Sequence, residues 1–314
     1  MILIRNLNQI NHQLPKLALT IGNFDGVHLA HQKIIEKTQE IAKKNNLSSA
    51  LLSFEPHPIY FLNKNKSDFN SDFRITNLAN KINLLKKYSL DYLIILPFNN
   101  NLSSIKATNF IEKILINKFN VKSLIIGYDF TFGKGREGNF KTLENYNFDL
   151  HEINPIKILD KNHSEITISS SLARQYLKSG EIKSLNKILG HNFAIDGIVV
   201  EGKKIAGELG YKTANINHKI NLIKPKFGVY KTQTYINDEN KFYDSITNFG
   251  IKPTFDNSSL KPLFETHLLN FSKNLYHQKI RVEFLDFIRD EKKFSSIDEL
   301  KNQIKFDINL INKN

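Results

Sequence analysis

Apolar positions in the first half of the chain come in short continuous runs, separated by stretches in which they recur every three or four residues. Leu17 to Ile21, Ala50 to Phe54, Tyr92 to Leu96 and Ser123 to Ile126 are such runs. Their length and near-absence of polar alternation predict strands buried on both faces. Between them Ile34, Ile35, Ile41 and Ala42 mark one helical face, and Leu78, Ile82 and Leu85 mark another within Thr76 to Tyr88. Asn109 to Phe119 is a further helical segment. Strand–helix alternation of this kind predicts an α/β domain with a parallel sheet covered on both sides. Ligands in such sheets sit beyond the carboxyl ends of the strands. The turns at Gly22, Pro56, Pro97 and Gly127 all follow strands, so they are expected along one edge.

The pattern changes at Gly190. A helix from Ser184 to Leu189 stops there, glycine being suited to a helix end. Beyond it, strand-like segments follow one another: Asn192 to Glu201, Phe227 to Ile236, Phe242 to Phe249, Leu263 to Phe271 and Lys279 to Phe287. Five or six strands separated by turns predict a small antiparallel β-barrel. Leu300, Ile304, Ile308 and Ile311 share one face of a terminal helix, Ile297 to Ile311. The expected domains are therefore 1–189 and 190–314.

The 314 residues suffice for two cores. No apolar run approaches membrane-spanning length, and the opening MILIRNLNQI lacks a signal-peptide layout, so no membrane association is expected. The absence of cysteine excludes disulfides and thiolate metal sites, and it suits a cytoplasmic location. A net charge of +13 raises the question of nucleic acid. Only six of the 44 basic residues are arginine, however, and the lysines are scattered among Asn and Ile, which reads as a solvated surface. Scarce arginines point to places where a planar fork is needed, and Arg136 and Arg174 both fall in motifs considered next.

Leu17 to Gln32 reads LALTIGNFDGVHLAHQ. Gly22 and Gly26 permit a tight turn after the strand. The helix that opens next offers unpaired N–H groups and a positive dipole end to an anion. His28 and His31, one turn apart, point to the same side and can donate hydrogen bonds to an oxyanion. No nucleophile accompanies them, so the stretch is equipped to hold a nucleotide triphosphate; the plainer alternative is a capping or surface pair. Ile168 to Arg174 (ISSSLAR) repeats the logic, with Ser170 in a serine run at a helix start and Arg174 one turn on. Phe54 to Pro58 (FEPHP) sets His57 between two prolines. Gly127 to Gly138 (GYDFTFGKGREG) places Asp129, Phe130 and Arg136 among glycines and aromatics, suited to a flat ring or, more plainly, to an aromatic-stapled loop.

In order, these stretches resemble G-x-F-D-G-x-H-x-x-H-Q, F-x-P-H-P, G-x-D/N-F-x-F-G and I-S-S-T-x-x-R of the bacterial bifunctional riboflavin kinase/FAD synthetase family, with Ala30 where that family usually has Gly. The second half resembles the same family. Leu209 to Ile216 (LGYKTANI) is similar to L-G-F-P-T-A-N, Asn248 to Phe255 (NFGIKPTF) to N-I-G-x-R-P-T-F with Lys252 for Arg, and Phe264 to Leu268 (FETHL) to V-E-x-H-L. Phe287 to Phe294 (FIRDEKKF) also fits the family. The resemblance covers nearly the whole chain. It implies a Rossmann-like nucleotidyltransferase domain that adenylylates FMN with ATP to give FAD and pyrophosphate, followed by a barrel that phosphorylates riboflavin to FMN.

Site roles follow from the same resemblance. It implies that His28, His31, Ser170 and Arg174 act in adenylyl transfer and that Glu265 is the general base for the riboflavin hydroxyl. It implies nucleotide or flavin contacts from Gly22, Phe24, Asp25, Gly26, His57, Asp129, Phe130, Arg136, Gly202, Lys203, Lys204 and Asn248. Mg²⁺ brought in with ATP would be held by the Thr213 hydroxyl and the Asn215 amide oxygen, both hard ligands. The family usually has a Gly/Arg-rich flap before L-G-F-P-T-A-N. Here residues 202–208 read GKKIAGE, and Lys212 replaces the proline. Lysine restores charge without the fork geometry, which leaves open a monofunctional FAD synthetase whose barrel no longer phosphorylates riboflavin. The +13 charge leaves open a basic RNA-binding or flavin-sensing protein, which salt-dependent RNA binding without ATP turnover would distinguish. The scattered lysines argue against it, and oligomeric state is not legible.

Overall fold

Each of the four apolar runs of the first half is a strand, and two strands that the pattern did not mark flank them. The computed structural model describes residues 1–160, 162–201, 213–217, 222–251 and 262–312. In chain order the elements begin with β1 (Ile2–Ile4), β2 (Leu17–Ile21), α1 (Leu29–Lys44), β3 (Ser48–Glu55), α2 (Pro58–Asn63), α3 (Leu78–Lys86) and β4 (Tyr92–Pro97). Next come α4 (Asn100–Ser103), α5 (Ala107–Asn109), which runs on as π-helical turns over Phe110–Ile116, then β5 (Val121–Gly127), α6 (Phe140–Glu144) and β6 (Asp149–Ile153). A short hairpin, β7 (Lys157–Leu159) and β8 (Glu165–Thr167), precedes α7 (Ser170–Ser179).

The sheet has six strands in the order β1-β4-β3-β2-β5-β6, and every pair is parallel. Successive strand residues alternate between two cores, as strand geometry requires. Leu17, Leu19, Leu52, Ile94 and Leu124 pack with Phe110, Ile111, Ile114 and Leu115 on one side. Leu51, Leu93 and Ile95 pack with Ile35 of α1 and Leu85 of α3 on the other. The chain winds outward from β2 to β3 and β4, then returns to place β5 on the opposite flank of β2. That reversal opens a crevice beyond the ends of β2 and β5, where ligands bind in such sheets. Neither β1 nor β6 could be read from a run of apolar residues, since both lie at edges and are partly exposed.

The chain divides into two units, Met1–Leu172 and Ala173–Asn314, with α7 spanning the division. In the second unit α7 is fastened to the segment that leads into the strand at Gly228, where Lys226 N donates to Leu177 O (3.1 Å), and α8 (Ile182–Leu189) to a strand, where Asn186 Nδ2 donates to Phe284 O (2.8 Å). The strands are β9 (Phe193–Val200), β10 (Thr213–Asn217), β11 (Gly228–Ile236), β12 (Lys241–Ile251), β13 (Pro262–Leu268) and β14 (Lys279–Arg289), closed as a barrel in the order β10-β13-β12-β11-β14-β9. All its pairs are antiparallel. The interior divides by chemistry. Phe193, Tyr230, Phe249, Phe264 and Phe284 fill part of it. Thr234, Ser245, Thr232, Thr247 and Thr266 form a fully buried chain of hydroxyl hydrogen bonds of 2.8–2.9 Å through the rest. Each hydroxyl is satisfied by its neighbour, which removes the penalty of burying it.

The terminal helix α9 (Ile297–Asn312) lies on the barrel through Ile311, which packs against Val229, Ile246 and Ile288. Arg289 forks onto Asp307 of that helix, Nε at 3.0 Å from both carboxylate oxygens and Nη2 at 2.7 Å from Oδ2. Asp307 is nearly fully buried. Removing one partner of such a pair strands the other's charge, so Asp307→Ala is expected to cost about 3 kcal/mol. Thermal denaturation of the full chain should show the barrel transition lowered by roughly 10 °C; a shift under about 2 °C would mean the fork is not holding the helix.

Candidate functional site

The turn after β2 is strained and tied down on several sides. Gly22 N donates to Leu52 O (3.0 Å), and a Cβ on Gly22 would lie 3.1 Å from the Phe24 ring. Phe24, Gly26 and Val27 all have left-handed backbones, with φ of +50°, +81° and +42°. Such values are uncommon for non-glycine residues and unfavourable for a β-branched one, so the surroundings must impose them. They do so through a segment fifty residues away. The Asp25 carboxylate accepts from Ile75 N (3.0 Å) and Thr76 N (3.1 Å), while Gly26 N donates to Thr76 Oγ1 (3.1 Å). Ser170, at the start of α7, donates from Oγ to Asp25 O (3.0 Å), and Ser169 Oγ caps the same helix at Leu172 N (3.2 Å). Asp25 and Ser170 thus both act on the shape of the turn.

His28 is the cap of α1. Its Nδ1 accepts from His31 N (3.3 Å), so in the neutral ring the proton is on Nε2, the nitrogen not used by the cap. The two imidazoles stack with centroids 3.6 Å apart and planes 13° apart, and His31 packs against Phe24 at 5.0 Å. The result is a pair of aligned rings at the dipole-positive end of a sixteen-residue helix. Donors so arranged suit a phosphate anion.

Sheet order brings further loops to this edge, because β3 and β5 are the two neighbours of β2. After β3, His57 is buried; its Nδ1 accepts from Ile59 N (3.2 Å) at the start of α2, and its ring meets Phe73 edge-on at 5.1 Å. After β5, Asp129 is exposed and Phe130 stacks on Phe132 at 5.4 Å. Arg136 stands further along that loop, exposed, with Nε on Thr131 Oγ1 (2.8 Å). Arg174 is half-buried on α7, one turn after Ser170 and on the second-unit side of the division.

Two residues of this edge escaped the sequence pattern. Arg74 forks onto Glu55, Nη1 to Oε1 at 2.8 Å and Nη2 to Oε2 at 3.0 Å, joining the end of β3 to the segment that holds Asp25. Its rarity among basic residues was the available signal. Lys81 of α3 is buried against the turn, with Nζ on Asn23 O (3.0 Å) and Ser53 Oγ (2.9 Å). Its signal was a lysine at helical spacing within the stripe of Leu78 and Leu85.

In the barrel, strand register assembles a second group. Asn215 of β10 faces Glu265 of β13, and Glu265 faces Asn248 of β12. Directly opposed residues share a face of the sheet, and here it is the outer one, since the alternate residues Phe264 and Thr266 fill the interior. Thr213 and His267 are paired one step along the same face. Asn215 is buried, at 5% exposure, and its Oδ1 accepts no hydrogen bond among the described residues. Glu265, Thr213, His267 and Asn248 are half-buried. Gly202, Lys203, Lys204, Lys212 and Lys252 lie outside the described residues.

Comparison with known proteins matches both halves. Residues 10–172 match the family model described as FAD synthetase, and residues 189–314 the one described as riboflavin kinase. A bifunctional riboflavin kinase/FMN adenylyltransferase of Buchnera aphidicola subsp. Schizaphis graminum is 43% identical over 99% of this chain and 96% of its own. Proteins of the same name from Haemophilus influenzae and Escherichia coli K12 are 38% and 34% identical, covering 98% and 97% of this chain and 96% and 95% of theirs. A solved structure from Streptococcus pneumoniae, described as a macrolide-efflux protein, superposes with a TM-score of 0.86 at 28% identity, over 99% of this chain and 98% of that one. No helix among the described residues is long and apolar enough to cross a membrane.

Proposed function

The chain belongs to the family of bifunctional riboflavin kinase/FMN adenylyltransferases, and we propose that the two residue groups described above carry one reaction each. It is a transferase that phosphorylates riboflavin to FMN and adenylylates FMN to FAD. With both halves matched, neither the monofunctional synthetase nor the RNA-binding alternative is favoured. Riboflavin, FMN and ATP are accordingly its substrates.

In the first unit the FMN phosphate attacks the α-phosphate of ATP, forming the new P–O–P bond as the bond to the β-phosphate breaks and pyrophosphate leaves. No residue need become covalently attached. His28 and His31, at the start of α1, donate to the phosphates, and Arg174 adds charge from α7. Ser170 and Asp25 serve by holding the turn, while His57, Asp129, Phe130 and Arg136 serve FMN or the nucleotide from the neighbouring loops. In the barrel, Glu265 takes the proton of the riboflavin 5′-hydroxyl as its oxygen attacks the γ-phosphate, and ADP leaves. The observation that carries this reading is the cross-strand row Asn215–Glu265–Asn248, a carboxylate flanked by two amides on one face.

Mg²⁺ fits the same face. Asn215 Oδ1 is buried without a hydrogen-bond donor among the described residues, and Thr213 supplies a hydroxyl two residues away on the same side. Two neutral oxygens suit a hard cation whose remaining partners are phosphates and water. When bound, Mg²⁺ supplies charge neutralisation for phosphoryl transfer. Asn215→Ala is expected to raise the Mg²⁺ concentration for half-maximal riboflavin phosphorylation by about tenfold, the order seen when metal sites lose a supporting group. Its FMN adenylylation should keep the wild-type Mg²⁺ dependence; equal changes in both would remove Asn215 from the metal.

The deciding measurement for the whole reading is chromatography of products from the purified chain with Mg-ATP and either riboflavin or FMN. FAD from FMN and FMN from riboflavin are expected. FAD from FMN alone would revive the monofunctional alternative, and no product from either would overturn the assignment of both sites.

A further inference from the structure

A lysine interrupts the apolar stripe of α3 and is 2% exposed. Burying an ammonium is costly unless its donors are used, and a leucine or methionine would fill the position more cheaply. The Lys81 donors go to Asn23 O (3.0 Å) and Ser53 Oγ (2.9 Å), and Ser53 Oγ itself donates to Asn23 O (3.2 Å). Charge and hydroxyl therefore converge on a single carbonyl, the one at the start of the strained turn.

Peptide planarity gives that grip a consequence. Asn23 C=O and Phe24 N–H belong to one trans peptide unit and point in opposite directions. With the carbonyl drawn toward Lys81 and Ser53, the Phe24 N–H is turned away from them, and it makes no hydrogen bond among the described residues. Rotating that peptide the other way would change φ of Phe24, so its left-handed value of +50° marks the orientation as held and not relaxed. The Phe24 ring meanwhile rests on His31. Phe24 is only 1% exposed, so this N–H is a donor on a buried residue, in the same turn as the His pair.

We propose that Lys81 is a positioning residue for FMN adenylylation: by gripping Asn23 O it keeps the Asn23–Phe24 peptide turned so that Phe24 N–H is presented to a phosphate of the bound ATP. The inference rests on the adenylyltransferase reading of the first unit. Burial, followed by the nearby charge of Arg74, pushes the Lys81 ammonium down to about 8, with Glu55 and Asp25 opposing. Loss of its proton replaces a charge-assisted hydrogen bond with an ordinary one. The grip therefore weakens as pH rises through that value.

The test uses the full chain, with riboflavin phosphorylation by the same polypeptide as internal control. Lys81→Met is expected to lower kcat for FMN adenylylation by roughly 10- to 100-fold, the cost of a misplaced contact, with KM for FMN within about twofold. The wild-type kcat should decline above about pH 8, and Lys81→Met should lack that limb. Ser53→Ala leaves Lys81 in place but removes the other donor to Asn23 O and one acceptor of the Lys81 ammonium, and should lower kcat by roughly threefold. A folded Lys81→Met with wild-type kcat and an unchanged pH limb overturns the proposal. Should Lys81→Met fail to fold, Ser53→Ala with wild-type kcat, together with a flat wild-type profile through pH 8, overturns it equally. A wild-type chain that phosphorylates riboflavin but makes no FAD from FMN defeats the adenylyltransferase reading itself, and this inference with it.

Discussion

Glu265→Gln is expected to lower riboflavin phosphorylation by roughly 10²- to 10⁴-fold, the range a positioned general base contributes. The substitution keeps shape and hydrogen-bonding capacity, so the pairing of position 265 with Asn215 and Asn248 should survive. What it removes is the ability to take a proton. The loss should therefore appear in kcat with riboflavin KM little changed, because an interaction with the reacting hydroxyl acts in the transition state. FMN adenylylation, carried by the other unit, should be untouched and shows that the chain is folded. If phosphorylation persisted within about threefold of wild type, Glu265 would not be the base. His267 is the next residue to test, since it lies on the same strand and face.

His28→Ala is expected to cut FAD formation from FMN by roughly 10²- to 10³-fold, as removal of a transition-state donor does, while riboflavin phosphorylation continues. Two roles are mixed in this residue. The Nδ1 acceptor caps α1, and its loss alone should cost about 1 kcal/mol of stability. The Nε2 donor is the group assigned to phosphate. His28→Asn separates them, because asparagine is a preferred cap but has a shorter reach. Recovery of melting temperature without recovery of FAD formation is the expected result. Recovery of both would reduce His28 to a capping residue and leave His31 and the helix terminus to carry the chemistry.

Both experiments concern residues that the sequence exposed through motif and spacing. The structure then shows why neighbours in a motif take different tasks. Asp25 stands between Phe24 and Gly26 in the turn, yet its carboxylate is committed to the amides of residues 75 and 76. His57, framed by prolines, spends Nδ1 on a helix cap, and its ring rests on Phe73. Ser170 donates to the backbone of the first motif, which makes two signatures 145 residues apart in sequence into one structure. Apart from the Ile59 amide that His57 caps, these partners are not local. The distant ones follow from strand order and from the packing of α3, so no short window of sequence contains them.

By itself, the order of apolar runs determined the class of each half, because period and turn chemistry are local properties of the backbone. The four buried strands β2 to β5 follow from those runs, as do five of the six barrel strands and the terminal helix. β10 escaped because its five residues carry the polar Thr213 and Asn215. The local sequence also confined the chemistry to a few loops. Tertiary structure decided what could not be local: the edge strands β1 and β6, the closure order of the barrel, and the cross-strand row that places Glu265 between two asparagines. It also decided that a lysine in an apolar stripe should end buried on a carbonyl of the strained turn. Pairing across a sheet and burial of a charge depend on residues brought from far along the chain, and only the folded core specifies which ones meet.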